Sequence, residues 1–354
     1  MKKKIIAFAW WWTWGHIFPI KALIETLNKD NYTILWFGEK WKLEEKVAME
    51  LKDMWFDIKF LPISAWKIRR QLDIKSVFKN IADLFKNLLG FFQSLYYICK
   101  YKPDFVFSKW GFVAFNPSLA GKICWKKIYL HESDTVPGLV NKLVWKFADR
   151  VFLWFLQAKK YFDKDKVLVV GQLLTDKLLD FKDNWKEWKT NLLLVWGSQW
   201  AKILISTIKK LLDKWFLKSF NIFVVWWLLN NKNIFENYEN VYFYDFIPQK
   251  NLFSLYKKAD LSITRGSATS LAEQDYFNIK KIIVPLPFTG WNHQYFNGLA
   301  YKKKWDYLLS QQDKDFENQL LNLLEKLENY KKGFVLKKEV LEWKNNLLKA
   351  IWIK

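Results

Sequence analysis

Cysteine and histidine are nearly absent from this chain, and each scarcity closes off a class of chemistry. Its two cysteines, Cys99 and Cys124, stand in no C-x-x-C motif. A disulfide framework is therefore excluded, and a reducing compartment is the natural setting. The three histidines, His16, His131 and His293, could form a metal site only by converging through the fold. No Asp-x-Asp motif stands at a plausible loop, so neither a metal nor a cofactor is expected. Acid is also short: 35 acidic against 57 basic residues leave a net charge of +22. Such an excess favours polyanions, whether nucleotide phosphates, anionic lipid or nucleic acid. A general bias toward Lys, Asn, Ile and Phe accounts for it equally well. Neither an RNA-binding aromatic signature nor zinc-finger spacing is present, so nucleic acid is not expected as a partner.

Glycine is the most telling shortage. A chain of this length ordinarily carries roughly 25 glycines; this one has 12, together with 23 tryptophans. Trp10-Trp11-Trp12-Thr13-Trp14 follows the β-like run Lys4–Ala9 and precedes a helical pattern. Trp196 and Trp200 flank Gly197-Ser198-Gln199, and Trp226-Trp227 follow Phe223-Val224-Val225. Turns between strand and helix need residues that tolerate positive φ and close backbone approach, which is glycine's role. We therefore read many tryptophans as glycine sites, the result of UGA codons that specify glycine being rendered as tryptophan. The charge-free stretch Ile5–Ile20 after Lys2-Lys3-Lys4 has the outline of a signal peptide. It reads better as a strand and a phosphate loop.

Apolar β-rich runs alternate with helical patterns throughout, which predicts a parallel α/β architecture. The first series of expected strands is Lys4–Ala9, Tyr32–Phe37, Asp57–Leu61, Asp104–Ser108, Lys127–Leu130 and Arg150–Leu153. The second is Leu192–Val195, Asn221–Val225, Val241–Tyr244, Leu261–Thr264, Lys281–Val284 and Tyr307–Leu309. With 354 residues, two domains are favoured over one. The polar segment Gly171–Thr190 reads as the connection, and Lys337–Lys354 as a final helix. The stretch Val77–Tyr97 is rich in apolar and aromatic residues and punctuated by Lys79 and Lys86. It is too interrupted to cross a bilayer, but it could lie in a membrane interface.

Four motifs carry chemistry. Read with glycine at its tryptophans, Ala9–Pro19 resembles the glycine-rich G-G-T-G-G-H-x-x-P loop of the MurG family of glycosyltransferases. Such a turn opening a helix cradles phosphate through backbone N–H groups and the helix dipole. His131-Glu132-Ser133-Asp134 through Gly138 to Asn141-Lys142 resembles that family's H-E-x-[ND]-x-x-x-G-x-x-N-K. Trp196–Ala201 is similar to its G-G-S-Q-G-A, and Thr264–Glu273 with Asn292–Asn297 to its nucleotide-binding half. The motifs occur in family order from position 9 to 297. The resemblance implies a GT-B fold, with two Rossmann-like domains facing a central cleft. It implies an acceptor- and membrane-associated domain over 1–168 and a UDP-N-acetylglucosamine-binding domain over 169–336. The terminal helix 337–354 would then pack back on the first domain.

The activity implied is inverting transfer of N-acetylglucosamine from UDP to the 4-hydroxyl of a lipid-linked muramyl-pentapeptide. It would take place at the cytoplasmic face of the cell membrane, on an anionic membrane surface to which the protein binds peripherally. His16 would act as general base or would bind the acceptor diphosphate. The donor would be held by Thr13, Trp14, Gly15, Asp134, Thr175, Ser198, Ile247, Ala268, Thr269, Glu273 and Gln294. Among these, Glu273 suits the ribose diol, Ser198, Ala268 and Thr269 the phosphates, the Ile247 backbone uracil, and Gln294 the sugar hydroxyls. His131, Glu132 and Asn141 would shape the acceptor side. The sequence departs from the family at Gly171–Thr175, where Thr175 occupies an arginine position, and at Trp226-Trp227-Leu228, where a His-Gln region is absent. The alternatives are another GT-B glycolipid glycosyltransferase and, if the tryptophans are genuine, a non-catalytic nucleotide-binding protein at the membrane surface.

Overall fold

The structure is a computed structural model. It describes residues 3–10, 14–40, 43–65, 74–109, 111–180, 188–196, 202–213, 216–226, 235, 237–244, 247–287, 290–302, 306–333 and 336–352. The chain divides into two compact units. One comprises Met1–Thr175 with Leu341–Lys354, the other Asp176–Val340. The chain crosses between the units after Thr175 and returns at Leu341, each a few residues beyond the expected bounds of 168 and 337.

In the first unit β1 (Lys4–Trp10) leads to α1 (Trp14–Glu25), then β2 (Tyr32–Gly38), α2 (Leu43–Asp53), β3 (Asp57–Pro62) and the long α3 (Ile74–Tyr101). There follow β4 (Phe105–Lys109), α4 (Phe112–Ile123), β5 (Lys127–Glu132), α5 (Leu139–Val144), β6 (Arg150–Leu153) and β7 (Val167–Val169). All pairings are parallel, in the order β3-β2-β1-β4-β5-β6-β7. Helices cover both faces, so the inner strands are apolar on both sides: Ile6, Ala7, Phe8, Ala9 and Trp10 of β1 are all buried.

The second unit runs β8 (Thr190–Trp196), α6 (Lys202–Asp213), β9 (Phe220–Trp226), β10 (Val241–Tyr244), α7 (Gln249–Lys258), β11 (Leu261–Thr264) and α8 (Ala268–Tyr276). It continues through β12 (Lys280–Ile283), α9 (His293–Lys302), β13 (Tyr307–Leu308) and α10 (Phe316–Lys326). Its parallel sheet has the order β10-β9-β8-β11-β12-β13. The last helix, α11 (Trp343–Trp352), belongs to the first unit. Its Trp343 and Leu347 are buried in one core with Leu23, Val170 and Leu173.

Both sheets reverse their strand order at one place, between β1 and β4 in the first and between β8 and β11 in the second. Open α/β sheets bind ligands in the crevice beyond the strand C-termini at such a switch point. In the first sheet Trp10 and Lys109 are register partners there; in the second, Val195 and Thr264 are. Three of the four motifs begin at the ends of β1, β8 and β11, and the fourth begins at the end of β5, which neighbours β4.

Tryptophan also occupies backbone positions that side chains rarely adopt. Trp55, Trp125 and Trp291 have φ of 67°, 59° and 61°. The first two close helices in one pattern. Trp125 N–H donates to Lys122 O, and Lys126 N–H to Gly121 O; after α2, Trp55 N–H donates to Lys52 O and Phe56 N–H to Leu51 O. This paired 5→2 and 6→1 arrangement is the Schellman motif, whose left-handed residue is usually glycine. The two indoles are 86% and 95% exposed, so neither gains burial that would offset the strained backbone. In the core, the Nε1–H groups of Trp10, Trp36, Trp154 and Trp343 are buried without a hydrogen-bond partner, a costly state for a polar group.

Candidate active site

In the first unit a polar cluster is buried at the C-terminal ends of β4 and β5. Lys109, the last residue of β4, has no solvent exposure. Its Nζ donates to His131 Nδ1 at 3.0 Å and to Ser133 Oγ. His131 Nε2–H then donates to Gly171 O at 3.0 Å, and Ser133 Oγ–H to Gln172 Oε1 at 3.1 Å. This pattern fixes His131 as the neutral Nε2–H tautomer. Burial, reinforced by the Lys109 charge, holds its pKa well below the ordinary imidazole value. Gly171 makes the turn that brings its carbonyl there, with φ 112° and a Cβ position only 2.9 Å from Trp343 Cβ.

Glu132 sits beside this chain of bonds. One carboxylate oxygen accepts Asp134 N–H at 2.9 Å and the other accepts Asn141 Nδ2–H at 2.7 Å. Burial pushes Glu132 upward and Lys109 downward, while their mutual attraction opposes both shifts. His131 thus lies in one set of bonds with Lys109, Ser133 and Gln172, and Glu132, Asp134 and Asn141 form a second beside it, the two coupled through the Lys109 charge. Lys109 and Gln172 are not among the residues the sequence proposes for the site. Thr175 stands elsewhere in the unit: its hydroxyl donates to Glu25 Oε2, on the last residue of α1, at 3.3 Å. Trp14, Gly15 and His16 form the first turn of α1, the helix that follows β1 in the chain. Their side chains, and Thr13 entirely, lie outside the described residues.

The second unit assembles its group around α8. Ala268 and Thr269 open the helix, and Ser267 caps it without a side-chain hydrogen bond. One and a half turns on, Glu273 is 6% exposed and accepts Gln249 Nε2–H at 3.1 Å. Gln249 is the first residue of α7, two residues after the half-buried Ile247, so this bond ties the Ile247 turn to α8. The fully buried Tyr256 hydroxyl lies beside Glu273 without a hydrogen bond of ordinary geometry. Burial raises the Glu273 carboxyl to about 7, against the lowering effect of its donors.

Gly266, in the turn before α8, packs against Gln294 of α9. A Cβ on Gly266 would lie 2.1 Å from Gln294 O, so only glycine allows the loop to reach α9 so closely. Asn297 Nδ2–H donates to Gly266 O at 3.0 Å, and Gln294 Oε1 accepts Leu286 N–H at 3.0 Å. Arg265, lowered to about 10 by burial, anchors the same loop through Val284 O and Gln311 Oε1. Ser198 lies outside the described residues. A cavity of about 760 Å³ lined by Lys189, Asn221, Asn240 and Tyr242 opens at the N-terminal ends of β8–β10. It contains none of these residues.

Residues 6–153 match the glycosyltransferase family 28 N-terminal domain, and residues 191–342 match the family 28 C-terminal domain. The UDP-N-acetylglucosamine–N-acetylmuramyl-(pentapeptide) pyrophosphoryl-undecaprenol N-acetylglucosamine transferase of Clostridium botulinum (strain Kyoto / Type A2) is 33% identical over 332 residues. That alignment covers 90% of this chain and 88% of the relative. The transferase of the same name from Clostridium tetani is 31% identical over 349 residues, covering 94% and 93%. The chain belongs to the MurG family. In fold it is similar to the crystal structure of Acinetobacter baumannii MurG, with a TM-score of 0.67, 20% identity and coverage of 98% and 94%. Two parallel-sheet α/β units are the GT-B architecture of the MurG family.

Proposed function

We propose that this chain transfers N-acetylglucosamine from UDP-N-acetylglucosamine to the 4-hydroxyl of undecaprenyl-diphospho-N-acetylmuramoyl-pentapeptide, the step from lipid I to lipid II in peptidoglycan biosynthesis. What carries the reading is identity above 30% along nine-tenths of the chain to transferases bearing that name. The site chemistry supports it. Glu273 offers a buried carboxylate to the ribose hydroxyls, and the Ile247 backbone, tied to it through Gln249, offers an edge to uracil. Ala268 and Thr269 open α8, whose N-terminal N–H groups suit a diphosphate, and Ser198 adds a further phosphate contact. Gln294 addresses the sugar hydroxyls; Thr13, Trp14, Gly15, Asp134 and Thr175 contribute the remaining donor contacts.

Transfer is a single displacement with inversion. The acceptor 4-hydroxyl attacks the anomeric carbon as the bond to the UDP oxygen breaks. Helix N-termini and loop amides stabilise the leaving diphosphate. His16, in the first turn of α1, takes the hydroxyl proton or holds the acceptor diphosphate. His131, Glu132 and Asn141 shape the acceptor side, and the neutral, doubly bonded His131 is suited to holding a loop in place.

The acceptor's lipid keeps it in the membrane, so the enzyme works at the cytoplasmic bilayer surface as a peripheral protein. Among the described residues no helix is long and apolar enough to cross a membrane. Instead α3 presents Leu84, Phe85, Leu88, Leu89, Phe92 and Tyr96, each more than half exposed, along one face. Exposed Lys86 and Lys100 lie nearby. This pairing of apolar and basic groups suits an anionic interface. The test is incubation of the protein with UDP-N-acetylglucosamine and either lipid I or diacylglycerol in detergent, with products resolved by mass spectrometry. Sugar added to the muramyl lipid is expected. Sugar added to diacylglycerol alone would point to a different glycolipid transferase.

A further inference from the structure

The only two cysteines of the chain meet. Cys99, on the last turn of α3, and Cys124, the C-cap of α4, are 25 residues apart in sequence and lie on different helices, yet their Sγ atoms are 3.4 Å apart. Cys99 is exposed, while Cys124 is partly buried and packs on the core that holds the neighbouring Ile98. The two helices are also tied further back, where Asn116 Nδ2 donates to Asn87 O and Oδ1. The sulfur pair marks the one point at which that interface could be closed covalently.

We propose that Cys99 and Cys124 form a reversible dithiol–disulfide site that staples the end of α3 to the end of α4, with a low-molecular-weight disulfide as the oxidant. A disulfide needs sulfurs about 2.05 Å apart. From 3.4 Å, side-chain rotation can close most of the difference without moving a helix. Access sets the order of events. The exposed Cys99 thiolate attacks one sulfur of R–S–S–R, forming a Cys99–S–S–R bond and expelling RS⁻. Cys124, deprotonated in turn, attacks Cys99 Sγ and expels the second RS⁻. Both thiolates leave as RSH with the two protons the cysteines lose, so the chain is oxidised by two electrons and the reagent is reduced by two. Burial and the Cys99 contact push the Cys124 thiol up to about 11, in keeping with its acting second.

Neither sulfur belongs to the candidate active-site clusters, so the site is independent of the transfer reading. In a reducing compartment it stands open; a rise in small disulfides closes it. Closure removes chain freedom from the unfolded state, so the closed form should melt at the higher temperature.

The native protein is equilibrated with oxidised and reduced glutathione in varied ratio, quenched by alkylation and weighed. The titratable thiols should fall from two to none, with a loss of about 2 Da and no glutathione retained. Excess dithiothreitol should restore both thiols and the lower melting temperature. Cys124→Ser should stop at a glutathione adduct on Cys99, and Cys99→Ser should react far more slowly. Should either variant fold poorly, the unaltered protein is tested with phenylarsine oxide, which bridges paired thiols and should block both. A stable adduct on the wild-type chain, bonds between chains only, or closure that requires denaturant would each overturn the proposal.

Discussion

Replacing Glu273 by Gln separates what this carboxylate does for the fold from what it does for the ligand. Its carboxyl is held at about 7 in place of an ordinary 4.5 because it is buried. In the fold, ionisation is therefore disfavoured by up to about 3 kcal/mol. The sign follows from proton counting. Between pH 4.5 and 7 the folded chain keeps a proton that the unfolded chain has lost, so stability falls as pH rises through this window, and the whole cost is present above it. E273Q removes that cost. It should melt above the wild type at pH 8, and the gap should vanish near pH 4.5. Ligand binding should move the other way. Ribose hydroxyls donate to the ionised carboxylate, so UDP should bind the wild type most tightly above pH 7 and progressively more weakly below it. Losing a charge-assisted contact costs about 1.5–3 kcal/mol, or roughly 10- to 150-fold in Kd. Titration calorimetry of UDP between pH 5.5 and 8.5 measures both trends. The terminal phosphate of UDP itself titrates near pH 6, so the difference between wild type and E273Q isolates Glu273. A variant that binds UDP as tightly as the wild type at pH 8 would refute the ribose assignment, and one that melts no higher there would refute the burial argument.

Lys109→Met should destabilise the first unit by about 2–3 kcal/mol in urea titration, because it leaves His131 Nδ1 and Ser133 Oγ buried without their donor. Trp55→Gly and Trp125→Gly, unlike most glycine substitutions, should each stabilise by about 1 kcal/mol, since both positions are left-handed and exposed. The coding DNA should likewise carry UGA at positions 10, 11, 12, 14, 110, 196 and 200; UGG there would defeat the glycine reading. Phe85→Ser with Phe92→Ser should abolish the salt-resistant part of flotation with anionic vesicles, and a folded double variant that still floats at high salt would place the membrane face elsewhere.

The strands were legible because parallel strands covered on both faces must be apolar on both sides, which leaves runs such as Ile5–Ala9 and Leu192–Val195 that a reader of one sequence can see. β7 escaped because its three residues are too few to show a pattern, and Leu168 and Val169 are 40% and 39% exposed at the sheet edge. The motif residues were legible for a related reason: a parallel sheet places every strand-to-helix turn at one end, so turn chemistry in sequence becomes a cluster in space. Lys109 was not. A lysine closing an apolar run reads as the point where a strand meets water, and only the adjacency of β4 and β5 turns it toward His131. The bond between Thr175 and Glu25 spans 150 residues and had no local signal at all.

Tryptophan shows the limit of reading turns alone. The demand for glycine is not confined to strand ends, where phosphate loops form; helix ends impose it too. Trp55 and Trp125 each stand one residue beyond a helix C-cap and just before a strand, the place where a left-handed residue lets the chain reverse. The helical pattern ending at Asp53 and the apolar restart at Phe56 mark the first of these, and Ile123 and Ile128 bracket the second. The buried tryptophans are a different case. Trp36 packs edge-on against Trp10 with ring centroids 5.2 Å apart, and Trp343 fills the core beneath α11, so their indoles bury apolar area even while their N–H groups lack partners. Burial offsets part of the cost there; at 55 and 125 nothing does. The two exposed positions therefore test the glycine reading most cleanly, since any gain on substitution must come from the backbone.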